Sequence, residues 1–338
     1  MVTEIPRKIG NWLRGHRRPL LRVAAVITVI VVALAYALRD PSPVGYFTST
    51  EKQDRFLSAY QEAMEDLPQP DRTLDIRTSY GFVRLYHFSG GTDPAAAPLL
   101  LLPGRASASP VWADNLPSLL RLRSVYTVDL LGEPGMSVQQ HPIADAVDHA
   151  QWLHEVLLAL PEPAIHLVGM SFGGWTAMNL AVHRAEKVAG VVLLDPVLVF
   201  ADLSLAVVLR SIPVSLRWAP RSWREDFASW TANDAPVEDV PVAETIEAGM
   251  QSYAMKLSAP VRPSEDQLAG VGVPVLVLLA GESRLHDSGE AAGTAQRVLT
   301  RGTVTTYPEA SHAINGEYPD EVAADIAAFL SGLAGVDQ

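Results

Sequence analysis

The sequence predicts an α/β fold, a mostly parallel eight-stranded sheet with helices on both faces. Three observations carry this. From Leu99 to the carboxyl end, short apolar runs alternate with helical patterns, the rhythm of strand–helix–strand units. Ahead of them two strand-like runs are joined by a short turn, which reads as an antiparallel hairpin. In the middle, Ala164-Ile-His-Leu-Val-Gly-Met-Ser-Phe-Gly-Gly174 sets a buried strand, a sharp turn and a helix in immediate succession.

The elements follow in order. A Pro/Ser/Gly/Thr linker over 39–50 leads into a helix from Thr50 to Leu67, with Phe56, Tyr60 and Met64 four apart on one face and Pro68 and Pro70 to stop it. Leu74–Thr78 and Phe82–Phe88 are the hairpin strands, turning at Ser79-Tyr80-Gly81. Leu99–Leu102 is a buried strand. Helix Val111–Leu122 precedes strand Ser124–Leu130, and helix Ala144–Leu160 precedes strand Ile165–Val168. After the central helix come strand Val188–Leu194, strand Val273–Leu279, helix Gly289–Leu299, strand Thr303–Tyr307 and helix Pro319–Leu333.

Residues 197–268 break this rhythm. They are helix-like and carry Trp218, Trp223, Phe227, Trp230 and Met250 among six prolines. Inserted between sheet strands, they would lie over the carboxyl ends as a cap. Their aromatic residues either hold the insertion together or line an apolar pocket that excludes water.

The chain has 338 residues, 48% hydrophobic and 19% charged, enough for one large α/β domain with an insertion or for two modest domains. Net charge is −12, unevenly spread. Residues 1–22 hold Arg7, Lys8, Arg14, Arg17, Arg18 and Arg22 against Glu4, leaving 20 of the 26 basic and 37 of the 38 acidic residues, a net of −17, to the rest. Such a body is repelled by nucleic-acid phosphates, so nucleic-acid binding is excluded. Absence of cysteine removes disulfides, thiolate metal sites and cysteine nucleophiles together.

Residues 1–18 form a basic arm. From Pro19 to Leu38 the chain is apolar except for Arg22 and Thr28, long enough as a helix to cross the ~30 Å core of a bilayer. Positive charges precede the run, so the arm should stay cytoplasmic and the remainder be exported. The favoured expectation is a membrane-anchored protein with its catalytic domain extracytoplasmic. Secretion after cleavage at Ala35-Tyr36-Ala37 is the alternative.

The chemistry centres on Gly169-Met170-Ser171-Phe172-Gly173, the pattern of a nucleophile elbow. A serine hydroxyl attacks well only when it stands clear of the backbone, beside a base and at the positive end of a helix. Holding it there strains the backbone and brings strand and helix close, so the positions two before and two after cannot carry bulk.

Around this elbow, Leu101-Leu-Pro-Gly104, Asp129-Leu-Leu-Gly-Glu-Pro-Gly135, Ala310-Ser-His312 and Glu317-Tyr-Pro319 stand in the expected places. Together they make residues 70–335 resemble the α/β-hydrolase superfamily, of the kind with a helical cap after the sixth strand. The domain would then run over 69–338. The resemblance implies a triad in the chain order serine, acid, histidine. His312 is the base by position. His286 is its serious rival, while His149 and His154, five apart on a helix, fit neither one face nor a zinc motif.

The acid is open. Where relatives often carry Asp after strand seven, this chain has Arg284, which cannot orient an imidazole. Asp195, 24 residues beyond Ser171, is preferred; Asp287, which also fits a capping box with Glu290, is the alternative. The oxyanion hole is expected to use the amide of Phe172 and one from Pro103-Gly104-Arg105-Ala106, Arg105 first and Ala106 as fallback. The resemblance implies hydrolysis of a small, apolar carboxylic ester or related acyl compound, with no metal or organic cofactor. A fold-sharing binding protein without activity is the competing class, since the acid is displaced and the usual His-Gly of the oxyanion loop is absent.

Overall fold

The computed structural model describes residues 40, 42–93, 95–216 and 218–334. The basic arm, the 19–38 span and the cleavage site at Ala37 lie outside the described residues. Among the described residues, no helix is long and apolar enough to cross a membrane. Every element below belongs to the unit Pro43–Gln338.

The leading segments are β1 (Tyr46–Phe47) and α1 (Thr50–Met64). Ser49 caps α1 by accepting the amide of Lys52. Phe56 and Tyr60 are buried as their spacing requires, and the helix stops at Met64, a turn short of the prolines.

The sheet consists of β2 (Arg72–Thr78), β3 (Gly81–Phe88), β4 (Leu99–Leu102), β5 (Val125–Val128), β7 (Ile165–Met170), β8 (Val188–Leu194), β10 (Val275–Ala280) and β11 (Gly302–Tyr307), with the two-residue β6 (Val138–Gln139) as a ninth strand beside β3. Strand order is β11-β10-β8-β7-β4-β5-β3-β2. From β11 to β5 all pairings are parallel; β3 and β2 close that edge antiparallel. Its four leucines show why β4 reads as one unbroken apolar run. Leu100 and Leu102 enter the core on one face and Leu99 and Leu101 the core on the other, so no side chain of this strand meets water. The chain moves from β4 to β5 on one side and later returns to β7 on the other. Ligand sites in open parallel sheets lie beyond the carboxyl ends at such a reversal.

One expected element is absent in its predicted form. Val111–Leu122 is not a continuous helix but a 3₁₀ turn over Ser109–Trp112 followed by the one-turn α2 (Leu116–Leu119). Pro117 is responsible: it has no N–H to donate to an earlier turn and fits only at a helix start, where it sits. The other sheet helices are α3 (Ala146–Ala159), capped by Asp145, α4 (Phe172–His183), α9 (Ser288–Val298), α10 (Ile314–Glu317) and α11 (Pro319–Ala334).

The insertion folds as α5 (Leu205–Val214), α6 (Arg221–Thr231), α7 (Pro241–Ser252), β9 (Tyr253–Ala254) and α8 (Glu265–Ala269). Phe227 and Trp230 pack with Val197, Val207 and Leu285 in a small core of their own. A buried bidentate pair, Arg224 to Glu247 at 2.7 Å on both arms, joins α6 to α7. β1 pairs antiparallel with β9, and Arg55 of α1 reaches Glu244 and Gln251 of α7.

Two buried histidines have ring nitrogens without hydrogen bonds. Neither ring nitrogen of His149 and not Nδ1 of His166 finds a hydrogen bond, and burial pulls each down to about 4. Both are therefore neutral in the fold and take up a proton on unfolding. As pH falls from ~6.5 toward ~4 the unfolded chain gains protons first, so stability drops by about 2 kcal/mol per histidine between pH 7 and pH 5. Urea denaturation across that range should show the fall. A flat response would mean that these rings are solvated or charged in the native state.

Candidate active site

Ser171 joins β7 to α4 with φ 53° and ψ −116°. This strained conformation persists because the strand and helix close tightly around it. A Cβ on Gly169 would lie 2.3 Å from the carbonyl oxygen of Gly173, and one on Gly173 would lie 2.1 Å from that of Leu102. No other residue fits at either position. Ser171 and His312 are each 8% exposed, so the pair is covered yet still open to solvent.

His312 stands on the loop after β11. Its neighbour Ser311 donates from its amide and its hydroxyl to Glu317 of α10 at 2.8 and 2.5 Å, which fixes the loop. The imidazole then makes two contacts. Nε2 lies 2.9 Å from Ser171 Oγ and Nδ1 lies 2.6 Å from Asp195 Oδ2. A proton on Nδ1 satisfies both, leaving Nε2 to accept the serine hydroxyl.

Asp195 ends β8 with φ 41° and is fully buried. Besides His312 it accepts the hydroxyl of Ser283 at 2.7 Å and the amide of Ala280 at 3.2 Å. Nε2 of His286 lies 3.1 Å from its other oxygen, so a second imidazole shares this carboxylate. Burial alone would raise the carboxyl; His286 and His312 outweigh it and hold the group well below the usual carboxylate range. His286 moves the other way. Burial pulls it down, but Asp195 outweighs burial and the imidazole is raised. Its contribution to stability is full below the ordinary imidazole range and is lost as pH rises through the raised value.

The competing acid is elsewhere. Asp287 caps α9, its Oδ1 accepting the amide of Glu290 at 2.8 Å. It is a helix cap, and the carboxylate at the imidazole is that of Asp195. Arg284, after the seventh strand of the resemblance, forms a bidentate pair with Asp234 of the insertion at 2.8 and 2.9 Å and donates to the carbonyl of Trp230. Four successive residues thus serve two sides: Ser283 and His286 face Asp195, while Arg284 and Leu285 between them hold the insertion.

On the opposite side, the amide of Ala106 donates to Glu133 Oε2 at 2.9 Å and is not free for an oxyanion, which removes the fallback position. Phe172 opens α4 and Arg105 lies in the turn after β4; among the described residues neither amide meets a protein acceptor. The Arg105 guanidinium lies 4.3 Å from the centre of the Phe172 ring and its Nε 3.6 Å from Glu133 Oε1. Burial raises the Glu133 carboxyl, against Arg105 and the Ala106 amide, which lower it. Glu133 therefore fixes the shape of this loop. The role of Glu133, Ser283 and His286 was not read from the sequence. Glu133 lies within the quoted Asp129–Gly135 motif, whereas nothing marks Ser283.

Asp129 anchors that motif. Fully buried, it accepts four hydrogen bonds, from Tyr60 Oη, the amide and hydroxyl of Ser109 and the amide of Met136, at 2.7–2.9 Å. The insertion also reaches these loops: a Cβ on Gly249 of α7 would lie 2.9 Å from Pro134, and the Trp175 indole donates to the carbonyl of Val261. Among the described residues no cluster of His, Asp and Glu is arranged to hold a metal ion.

A serine on a strand–helix elbow, an imidazole from the last sheet loop and a buried carboxylate, all at the carboxyl edge of a parallel sheet, define a class. The chain belongs to the alpha/beta hydrolase family, whose model matches residues 99–325. Carboxylesterase YbfK of Bacillus subtilis is 23% identical over 296 residues, covering 85% of this chain and 97% of that protein. The crystal structure of that enzyme matches with a TM-score of 0.76 over 84% of this chain and 99% of its own. A solved membrane phospholipase A, described as a bacterial virulence factor, matches with a TM-score of 0.67 at 18% identity, over 94% of this chain and 99% of that one.

Proposed function

We propose that the protein hydrolyses a carboxylic ester through a serine acyl-enzyme. The observation that carries this is the relay Ser171 Oγ–His312 Nε2 at 2.9 Å and His312 Nδ1–Asp195 at 2.6 Å. His312 takes the hydroxyl proton as Ser171 Oγ bonds to the ester carbonyl carbon. Negative charge builds on the carbonyl oxygen and is met by the Phe172 and Arg105 amides. The C–O bond to the alcohol breaks, and the imidazolium gives its proton to the departing alkoxide. Water, deprotonated by His312, then attacks the acyl carbon, and Ser171 leaves as the free hydroxyl. Asp195 stays ionised and stabilises the imidazolium. Its depressed proton affinity supports that role.

The same reading makes the 197–268 insertion a cap over an apolar pocket for a small ester. The similarity to carboxylesterases supports the reaction class. The apolar run 19–38 behind a basic arm supports a bilayer tether with the catalytic unit extracytoplasmic; release after Ala37 is the alternative. Intact mass of the protein recovered from cells separates these, since cleavage removes residues 1–37.

For the reaction, purified protein should hydrolyse p-nitrophenyl esters of graded acyl length and be labelled one-to-one by a fluorophosphonate. Protein that neither turns over esters nor takes the label is a binding protein, not an enzyme.

A further inference from the structure

One helix is apolar on two faces. Val207 and Val214 of α5, seven apart, are buried, Val207 within the insertion's core. On the other side Leu205 (73% exposed), Val208, Leu209 and Ile212 follow the i, i+3, i+4, i+7 pattern of a single stripe, with Leu216 just beyond the helix end, and all are open to solvent. The stripe continues into Trp218, 74% exposed, and Trp223, whose rings meet edge-on at 6.5 Å. A water-facing helix normally turns polar groups outward, and contiguous exposed apolar surface of this kind marks a docking face.

Two observations say what covers it. The first is charge. Residues 203–223 carry Arg210, Arg217 and Arg221 and no carboxylate, in a chain with 38 acidic residues. Arg221 is engaged by Glu225 and Glu244, but Arg210 is exposed, its guanidinium 4.8 Å above Trp230. An apolar stripe beside exposed tryptophans, on a stretch of chain that itself carries arginine and no carboxylate, suits the boundary between acyl chains and phosphate headgroups. The second is where the amino-terminal chain arrives. The apolar run ends at Leu38, and by Tyr46 the chain is already paired with β9 of the insertion, with Thr48 donating to Ser252. Only residues 39–45 separate the apolar run from that pairing in the sequence. Contacts then pass from α1 to α7 through Arg55–Glu244, from α7 to α6 through Glu247–Arg224, and from α6 to α5 through Trp230–Arg210.

We propose that the outward stripe of α5, with Trp218 and Trp223, seats the insertion on the phospholipid surface of the bilayer that holds the 19–38 segment. The proposal rests on the tether reading above. It makes esters dissolved in that bilayer, rather than free in water, the substrates nearest the site.

The chain has no cysteine, so single labels can be placed cleanly. Full-length L209C and I212C, each carrying an environment-sensitive nitrobenzoxadiazole dye, are reconstituted into vesicles of phosphatidylcholine and phosphatidylglycerol. The control is E186C, in the loop before β8. Labels at 209 and 212 should shift to the blue and be quenched at least about twofold by nitroxide-labelled lipid, while that at 186 stays wet. If the protein floats with the vesicles but 209 and 212 remain as wet as 186, the docking face is wrong and the tether stands. If it does not float, both fall. A blue shift that lipid nitroxide cannot quench, with disulfides forming between copies of the unlabelled L209C protein, puts a second copy on the face and overturns the proposal.

Discussion

Alanine at Ser171 is expected to abolish ester hydrolysis, with kcat lowered at least ~10⁴-fold, equivalent to about 5 kcal/mol of barrier. Removing Oγ leaves the imidazole and the two amides but nothing for the acyl group to bond to. The change is small in volume and tolerates the strained elbow no worse than serine, so the protein should fold and bind substrate with little change in KM. Loss of fluorophosphonate labelling in the same variant ties the effect to the nucleophile. A variant that keeps a tenth of its activity would place the chemistry on another residue.

The second large effect is at the acid. Asp195→Asn should lower kcat at least ~10²-fold, because an amide cannot stabilise the imidazolium and its NH₂ group competes to fix the wrong tautomer. Asp287→Asn should change kcat less than about twofold, since asparagine caps a helix as well as aspartate does. Steady-state kinetics of the two variants, with circular dichroism to check folding, decide the matter. A large loss in Asp287→Asn with little in Asp195→Asn would reverse the assignment. The contrast is informative because both carboxylates lie near the carboxyl edge of the sheet, and only Asp195 meets the ring.

That pair also shows what was legible in the sequence. Strands such as Leu99–Leu102 and Val188–Leu194 appear with the boundaries expected, since an apolar run covered on both faces has sharp ends. The elbow was readable for a different reason: steric closure around Ser171 leaves glycine as the only solution at 169 and 173, and that constraint is local. The choice between Asp195 and Asp287 was not local. His312 lies 117 residues beyond Asp195, and only the parallel register of β8 against β10 and β10 against β11 brings them to one edge. The β1–β9 pair was invisible, because two-residue strands some 200 residues apart leave no periodic trace. Glu133 looked like part of a turn motif; its work on the Ala106 amide depends on burial that composition does not reveal.

The division of contacts over Ser283–His286 has a mechanical meaning. Two of these side chains grip the carboxylate that tunes the imidazole, and the two between them grip the insertion. Peptide bonds permit little slack between neighbours, so a shift of Asp234 is passed through Arg284 to the surroundings of the acid. A substitution that displaces the Arg284–Asp234 pair is therefore expected to disturb the neighbouring contacts of Asp195 as well.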